Sequence, residues 1–321
     1  MGMGHVLVEV STEENGNRIS TEMRMQRLAF SNFAQFVDRW DPQVQIHDDE
    51  VDGRFHSNSE LHLLYSRDTK PIFHGKVTTA SHGIRTDATG RVDRDRMFLG
   101  GLETGVRRIM LPPRFAAFPD DDSIEVDRIH GFDEDARITF YADGTYGWRY
   151  LDAAEPEQKR PIPDDPYYMV AAEDRKLHIK GVVKGKVLVY SPERIIVEDD
   201  LTYAHYPDVS ADADDYLGLV SDKSIEVAGP GVTGPGDLLI HASIYAKRQF
   251  VVSHYRSGKS GTLFIYGSLI AGSVSATEPR FATKIQFDKR LEHIRPPGFP
   301  MTDRYELEAW DGVWKSEGLA E

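Results

Sequence analysis

Two histidines, an asparagine and a glutamate alternate along VDGRFHSNSELHLL, residues 51–64. On an extended strand His56, Asn58, Glu60 and His62 share one face, opposite Ser57, Ser59, Leu61 and Leu63. Imidazole and carboxylate groups in that density are the raw material of a metal centre. The spacing works against one. Neighbours two apart lie ~7 Å from each other, close enough for a pair to share an ion, but His56 and His62 lie ~20 Å apart. A further ligand would have to come from another strand, with His47, His74 and His82 available. The expectation is no metal and no cofactor. Asp52-Gly53 marks the turn that starts the strand, and the four side chains form an outward polar row.

Acid–base chemistry has a second pool to draw on. Asp199, Asp200, Asp222, Lys223 and Arg256 fall near predicted strand ends, where carboxylates with bound calcium and an Arg or Lys base could cleave an acidic polysaccharide. No nucleophile elbow, Ser-His-Asp set or H-E-x-x-H accompanies them. GPGVTG (229–234) matches the dinucleotide pattern, but Pro235, Gly236 and Asp237 lead into a strand where the chemistry needs a helix. RSGKSG (256–261) ends like a phosphate loop, but Ser253 stands where its first glycine belongs. DADDY (212–216), near Asp208, has Leu217 at the sixth position of a calcium loop, which must be Gly. All three read as loops.

Around these residues is a chain of 321 residues, 40% hydrophobic, enough to bury a large core. Its 52 acidic and 38 basic residues leave a net charge of −14, which excludes the basic face a nucleic-acid partner requires. There are no cysteines, so disulfides and thiolate metal sites are ruled out. No apolar stretch reaches the ~18 residues of a membrane span. The start, MGMGHVLVEVSTEENG, lacks the basic-then-apolar order of a signal peptide.

One segment reads as helix. In STEMRMQRLAFSNFAQFVDRW, Met25, Leu28, Phe33, Phe36 and Val37 recur at helical spacing, and Ser20 or Thr21 can cap the start. A strand over RLAFSNFAQFV is the competing reading. ARITFYADGTYGWRY predicts a hairpin turning at Asp143-Gly144 in a two-residue type I′ loop, and PEQKRPIPDDP (156–166) reads as a linker. From Leu177 onward short β-rich runs recur every ~20–25 residues, the length of one solenoid coil. Within a run alternation is clean: Ile240, Ala242, Ile244 and Ala246 face one way, and His241, Ser243 and Tyr245 the other. The predicted inward set is Ile179, Val187, Val189, Ile195, Val197, Ile225, Val227, Ile240, Ile244, Ile265 and Leu269.

The expected fold is mainly β: a right-handed parallel β-helix (solenoid) with an N-terminal α/β cap and a β-hairpin insertion. Residues 1–50 form the cap with one helix, 51–160 a first β-rich part with the hairpin near 138–150, and 161–321 the β-helix and C-terminal cap. The three form one continuous domain. An antiparallel sandwich or barrel is the alternative.

Several stretches, in order, resemble a family of bacterial envelope proteins related to type IV pilus assembly, similar to PilX-like minor pilin components. They are RLAFSNFAQFVD, VDGRFHSN, KPIFHGKVTTA, GGLETGVRRIMLP, ADGTYGW, LHIKGVVKGKVLVYSPERIIVEDDLTYA, YLGLVSDKSIEV, LIHASIYA, LFIYGSLI, FDKRLEHIRPPGFP and YELEAW. VDGRFHSN is similar to that family's D-G-P-V-H-T-N, with Arg54 in place of proline and Ser57 in place of threonine. The resemblance implies a β-helical domain of unassigned function that follows a membrane anchor, outside this sequence, in the cell envelope. It implies no catalytic residues.

The first functional expectation is a non-enzymatic envelope or surface protein. Its β-helix presents a face for pilus-related assembly or adhesion, to other envelope or pilus-assembly proteins or to surface glycans. Tyr203, Tyr245 and Arg256 are its expected anchors, since aromatic residues and arginine dominate interface energetics. The alternative is a carbohydrate-active β-helix lyase or hydrolase using the acid–base set above.

Overall fold

The computed structural model describes residues 4–14, 17–66, 68–89, 92–113, 115, 126–207, 210, 213–257 and 261–317. The chain is mainly β and solenoid-like, built on three parallel ladders. The first stacks Ile129–Phe132, Tyr167–Ala171, Lys186–Ser191, Tyr216–Ser221 and the second half of Leu238–Ala246. It continues through Gly261–Ala271 to Gln35–Val37, Phe55–Ser57, Val77–Thr79 and Leu102–Thr104. A second ladder runs from Ala136–Tyr141 through Lys176–Val183 and Arg194–Tyr203 to Ser224–Val227 and Gln249–Val252. The third joins Leu238–Ala246, Gly261–Ala271, Phe281–Phe287, Glu50–Asp52 and Ile72–Phe73.

The stacking order is not the chain order. Strand Gln35–Val37 lies on Leu269–Ala271, and Glu50–Asp52 lies on Lys284–Gln286. Residues 35–104 therefore extend the stack beyond 287, and both chain ends leave it at this seam. There they pair with each other: Asn17–Ala29 is sandwiched between His5–Glu14 and Met301–Ala309, with Lys315–Glu317 at its start, all antiparallel.

A column of glycines occupies the stacked corners at residues 53, 75 and 100. A Cβ on Gly75 would sit 2.0 Å from Gly53 O, and one on Gly100 would sit 2.3 Å from Gly75 C. Any side chain at these stacked corners would collide with the coil below. Gly53 also adopts φ +118, so Asp52-Gly53 is a corner, as its turn chemistry predicts.

All eleven residues predicted to face inward are buried in one core of aliphatic and aromatic side chains. Through residues 176–287 every described pairing is parallel. A second, smaller core lies on the other side of the first ladder, where Phe30, Phe33, Ile109 and Phe299 cover Tyr168, Leu188, Val220, Tyr245, Ile270 and Phe36.

Three local expectations are corrected. The helix predicted over residues 20–40 is instead strand Asn17–Ala29, a 3-10 turn Phe30–Asn32 and strand Gln35–Val37. Backbone hydrogen bonds to strands on both sides outweigh helix propensity, and Phe36 and Val37 alternate between the two cores. The hairpin exists, but its loop is Ala142-Asp143-Gly144, because Tyr141 pairs with Thr145. Only Gly144 takes a positive φ, +85, and Asp143 Oδ1 accepts from Thr145 N at 3.0 Å. The predicted linker 156–166 contains strand Gln158–Pro161, which extends that hairpin into a meander. GPGVTG holds the one α-helix among the described residues, the four-residue turn Pro230–Thr233. Fully buried Arg280 ties this turn down by donating to Ala228 O, Ser253 O and Thr233 Oγ1.

Candidate functional site

The histidines and asparagine of 51–64 do not line one strand face. The strand ends at Ser57 and resumes at His62, and the side chains part into separate networks. His56, 1% exposed, stacks on Phe36 and bonds through Nδ1 to Thr78 Oγ1 at 2.7 Å and through Nε2 to Asn58 Oδ1 at 2.9 Å. Burial holds its pKa below the ordinary histidine value. Buried Asn58 also donates to Asp38 Oδ1. His62 meets Asp87 Oδ2 at 2.9 Å, Gln45 and Pro42 O, while Glu60 is exposed. Three of the four residues of the predicted outward row are buried, and Asn58 is an internal staple because the segment around Ile109 crosses over it.

The predicted acid–base set is likewise dispersed. Asp200 Oδ1 caps Leu239 N, Asp199 Oδ1 accepts from Asp200 N, and Asp222 accepts from Tyr190 OH at 2.8 Å. Lys223 pairs with Glu193, and the Arg256 guanidinium lies over the Tyr255 ring. Of the predicted anchors, Tyr245 is 1% exposed and Tyr203 is 7% exposed, so neither offers its ring to a partner. Tyr245 sits under Phe30 and Phe299, and Tyr203 lies against His241 and Tyr266. Only Arg256 is exposed. Asp208 and Asp212, and residues 258–260 of RSGKSG, lie outside the described residues. Asp215 of DADDY is buried, accepting from Gly185 N and His205 N.

Two features emerge instead. Arg256 lines a cavity of about 430 Å³ together with Trp40, Tyr255 and the carboxylates of Asp41, Asp48, Asp49 and Glu278. Asp49 is pushed up to about 7, first by burial and then by the adjacent Asp48, against hydrogen bonds from Thr283. At its wall His47 Nδ1 lies 2.9 Å from Asp48 Oδ1 and its Nε2 lies 2.9 Å from Glu278 Oε2. The HDDE run at 47–50 hints at this density, but Glu278 comes from a distant coil and no local signal links it to His47.

The second feature is the antiparallel sheet at the seam. Its register places Val6 beside Met25, Val8 beside Met23 and Val10 beside Thr21, and Met25 beside Leu307. By strand alternation these residues share one face with Ile19. Trp310 joins them by donating to Thr21 Oγ1. The opposite face carries Glu9, Glu22, Arg24, Glu306 and Glu308, with Arg24 and His5 paired to Glu308 and Arg54 to Glu306. Such a sheet ordinarily buries its apolar face. Here Leu307 is 52% exposed and Trp310 47%, with Val6, Val10, Tyr305, Val313 and Trp314 also exposed. Sequence reading missed it because its central strand, Asn17–Ala29, falls largely in the segment that read as helix.

No protein family and no curated protein matches the chain in sequence. Among solved structures it is similar to the competence-associated pilin ComZ from Thermus thermophilus, at 11% identity and a TM-score of 0.42, over 98% of this chain and 81% of that one.

Proposed function

We propose that this chain is a non-enzymatic envelope or surface protein that works by presenting a face to an assembly partner. Its ladders are the faces of one right-handed parallel β-helix that holds the seam sheet in place. The observation that carries the reading is the uncovered apolar face of that sheet, with Val6, Val10, Leu307 and Trp310 exposed together. Exposed patches of this kind mark interaction sites, and aromatic side chains are their usual anchors. The dispersal of the acid–base set over separate contacts supports a non-catalytic role. The envelope setting rests on the sequence resemblance, and the partners are other envelope or pilus-assembly proteins.

Charge selects the occupant. Glu9, Glu22, Glu306 and Glu308 lie on the reverse of the apolar face, the last two paired with Arg54 and Arg24, and the chain carries a net charge of −14. A second copy would bring the same acidic surround, so the fitting occupant is a protein segment whose apolar stripe is flanked by lysine and arginine. Trp310 and Trp314 are exposed and report binding directly. Titration of the purified chain with amphipathic helical peptides of identical apolar faces and either Lys/Arg or Glu flanks distinguishes the cases. A saturable blue shift with the basic peptide alone, lost in Leu307→Asp, is the expected result. No shift with the basic peptide would discard the reading, as would a concentration-dependent dimer that Leu307→Asp dissolves, or equal binding to zwitterionic lipid vesicles.

A further inference from the structure

We infer that His47, Asp48 and Glu278 form a binding site for a divalent first-row transition metal such as zinc, at the wall of the 430 Å³ cavity. This goes beyond the docking reading and does not depend on it. Each residue offers one ligand atom, and the three atoms lie within 4.8 Å of one another. His47 Nδ1 is buried and has no hydrogen-bond partner among the described residues, although Asp48 Oδ1 lies 2.9 Å away. Two ligands ~2.1 Å from one ion, at a right angle, stand about 3 Å apart. The distance is that of an ion pair and equally that of neighbouring ligands on a shared ion; Glu278 Oε2 lies 2.9 Å from the other ring nitrogen, Nε2, and has to swing towards Nδ1 to join an ion held there.

Two further points favour a cation. The cavity lining carries Asp41, Asp48 and Glu278 against the single arginine Arg256, a net negative pocket. The cavity also has room for the waters that complete a three-ligand centre. One imidazole nitrogen with two carboxylates is a mixed N/O set, which suits zinc, manganese or nickel over calcium, whose sites are built from oxygen alone. His56 and His62, which the sequence first brought into question, are engaged elsewhere and take no part.

The test is calorimetric titration of the EDTA-stripped full chain with zinc and, separately, with calcium. One zinc per chain at micromolar or tighter affinity is expected, with calcium at least 100-fold weaker. His47→Gln and Glu278→Gln should each weaken zinc at least 10-fold, while His5→Gln and His74→Gln, at exposed histidines, leave it unchanged. X-ray absorption of the zinc-loaded native chain should give N/O ligation with one imidazole, a readout independent of whether the variants fold. No saturable zinc binding, binding insensitive to His47→Gln, two or more imidazoles, or equal calcium affinity would overturn the assignment.

Discussion

The side-chain amide of Asn58 pairs with the backbone of Ile109 on both of its atoms: Nδ2 donates to Ile109 O at 2.6 Å, and Oδ1 accepts from Ile109 N at 2.9 Å. The carboxamide thus acts as one more strand, clamping the crossing segment against the first ladder and helping to close the second core. Asn58→Ala leaves that N–H and C=O buried without partners, so a loss of about 2–4 kcal/mol is expected. Asn58→Asp fares no better, since it sets a carboxylate against Ile109 O and Asp38. Urea denaturation of the two variants reads the cost, and a loss under about 1 kcal/mol would deny the clamp its role.

Tyr245 offers the opposite case. Its ring is packed between Phe30 and Phe299, yet its buried hydroxyl has no partner among the described residues. Removing that oxygen relieves a desolvated polar group at almost no change in shape. Tyr245→Phe should be neutral or stabilising by about 1 kcal/mol, whereas Tyr245→Ala should cost about 3–5 kcal/mol. Thermal melts separate the two, and a marked loss in the phenylalanine variant would point to a hydrogen bond there.

The buried histidines fix the acid side of the stability profile. His130 contacts Tyr146 OH at 2.7 Å through Nδ1, and His241 Nδ1 accepts from Tyr203 N. Burial lowers each to about 4, from the ordinary 6.5. In the window between those values the unfolded chain binds more protons than the folded one. Their contribution is therefore complete above pH ~6.5, is lost as the pH falls towards 4, and is level below that. His130, the better buried of the two, accounts for about 2 kcal/mol once screening by nearby solvent is allowed for, and the more accessible His241 for less. Asp49, raised to about 7, takes up its proton in the same window and works the other way, so the test is the comparison of wild type with His130→Gln: the variant should lose less stability between pH 7.5 and 4.5 by urea denaturation. An unchanged profile would mean that the imidazole is not held neutral.

Leu307 lies on the open face of the seam sheet and Ile265 lies in the main core. If the face is kept apolar for a partner and not for folding, Leu307→Thr should change stability by under about 0.5 kcal/mol, as surface substitutions do. Ile265→Ala should cost about 2–5 kcal/mol. Chemical denaturation of both variants checks the contrast, and a large loss at Leu307 would place that face in the fold itself.

Local patterns carried much of the architecture. Alternation at Ile240, Ala242, Ile244 and Ala246 named the residues that meet in the main core, and Asp52-Gly53 gave a true corner. Asp199, Asp200, Asp222, Lys223 and Arg256 each meet different partners, because Asp, Lys and Arg near strand ends are common and their type does not reveal which neighbours they meet. Arg256 does line a cavity, but with Glu278 and Asp48 in place of Asp199 and Asp200.

By itself the sequence determined that the chain builds short β-rich runs with one aliphatic face, because side-chain alternation and glycine corners are properties of neighbouring residues. Only the tertiary structure decided which strands stack. Hydrogen bonds between strands carry no local signature, so nothing near Gln35 announces that it lies on Leu269, or that both chain ends meet at that seam. The same holds for the faces of a strand. Alternation separates Tyr245 from Ile244, but only the arrival of Phe30 and Phe299 from the two ends of the chain buries the tyrosine. Distant approach also made the His47–Glu278 pair, since a carboxylate finds its imidazole through the register of stacked coils and not through spacing along the chain.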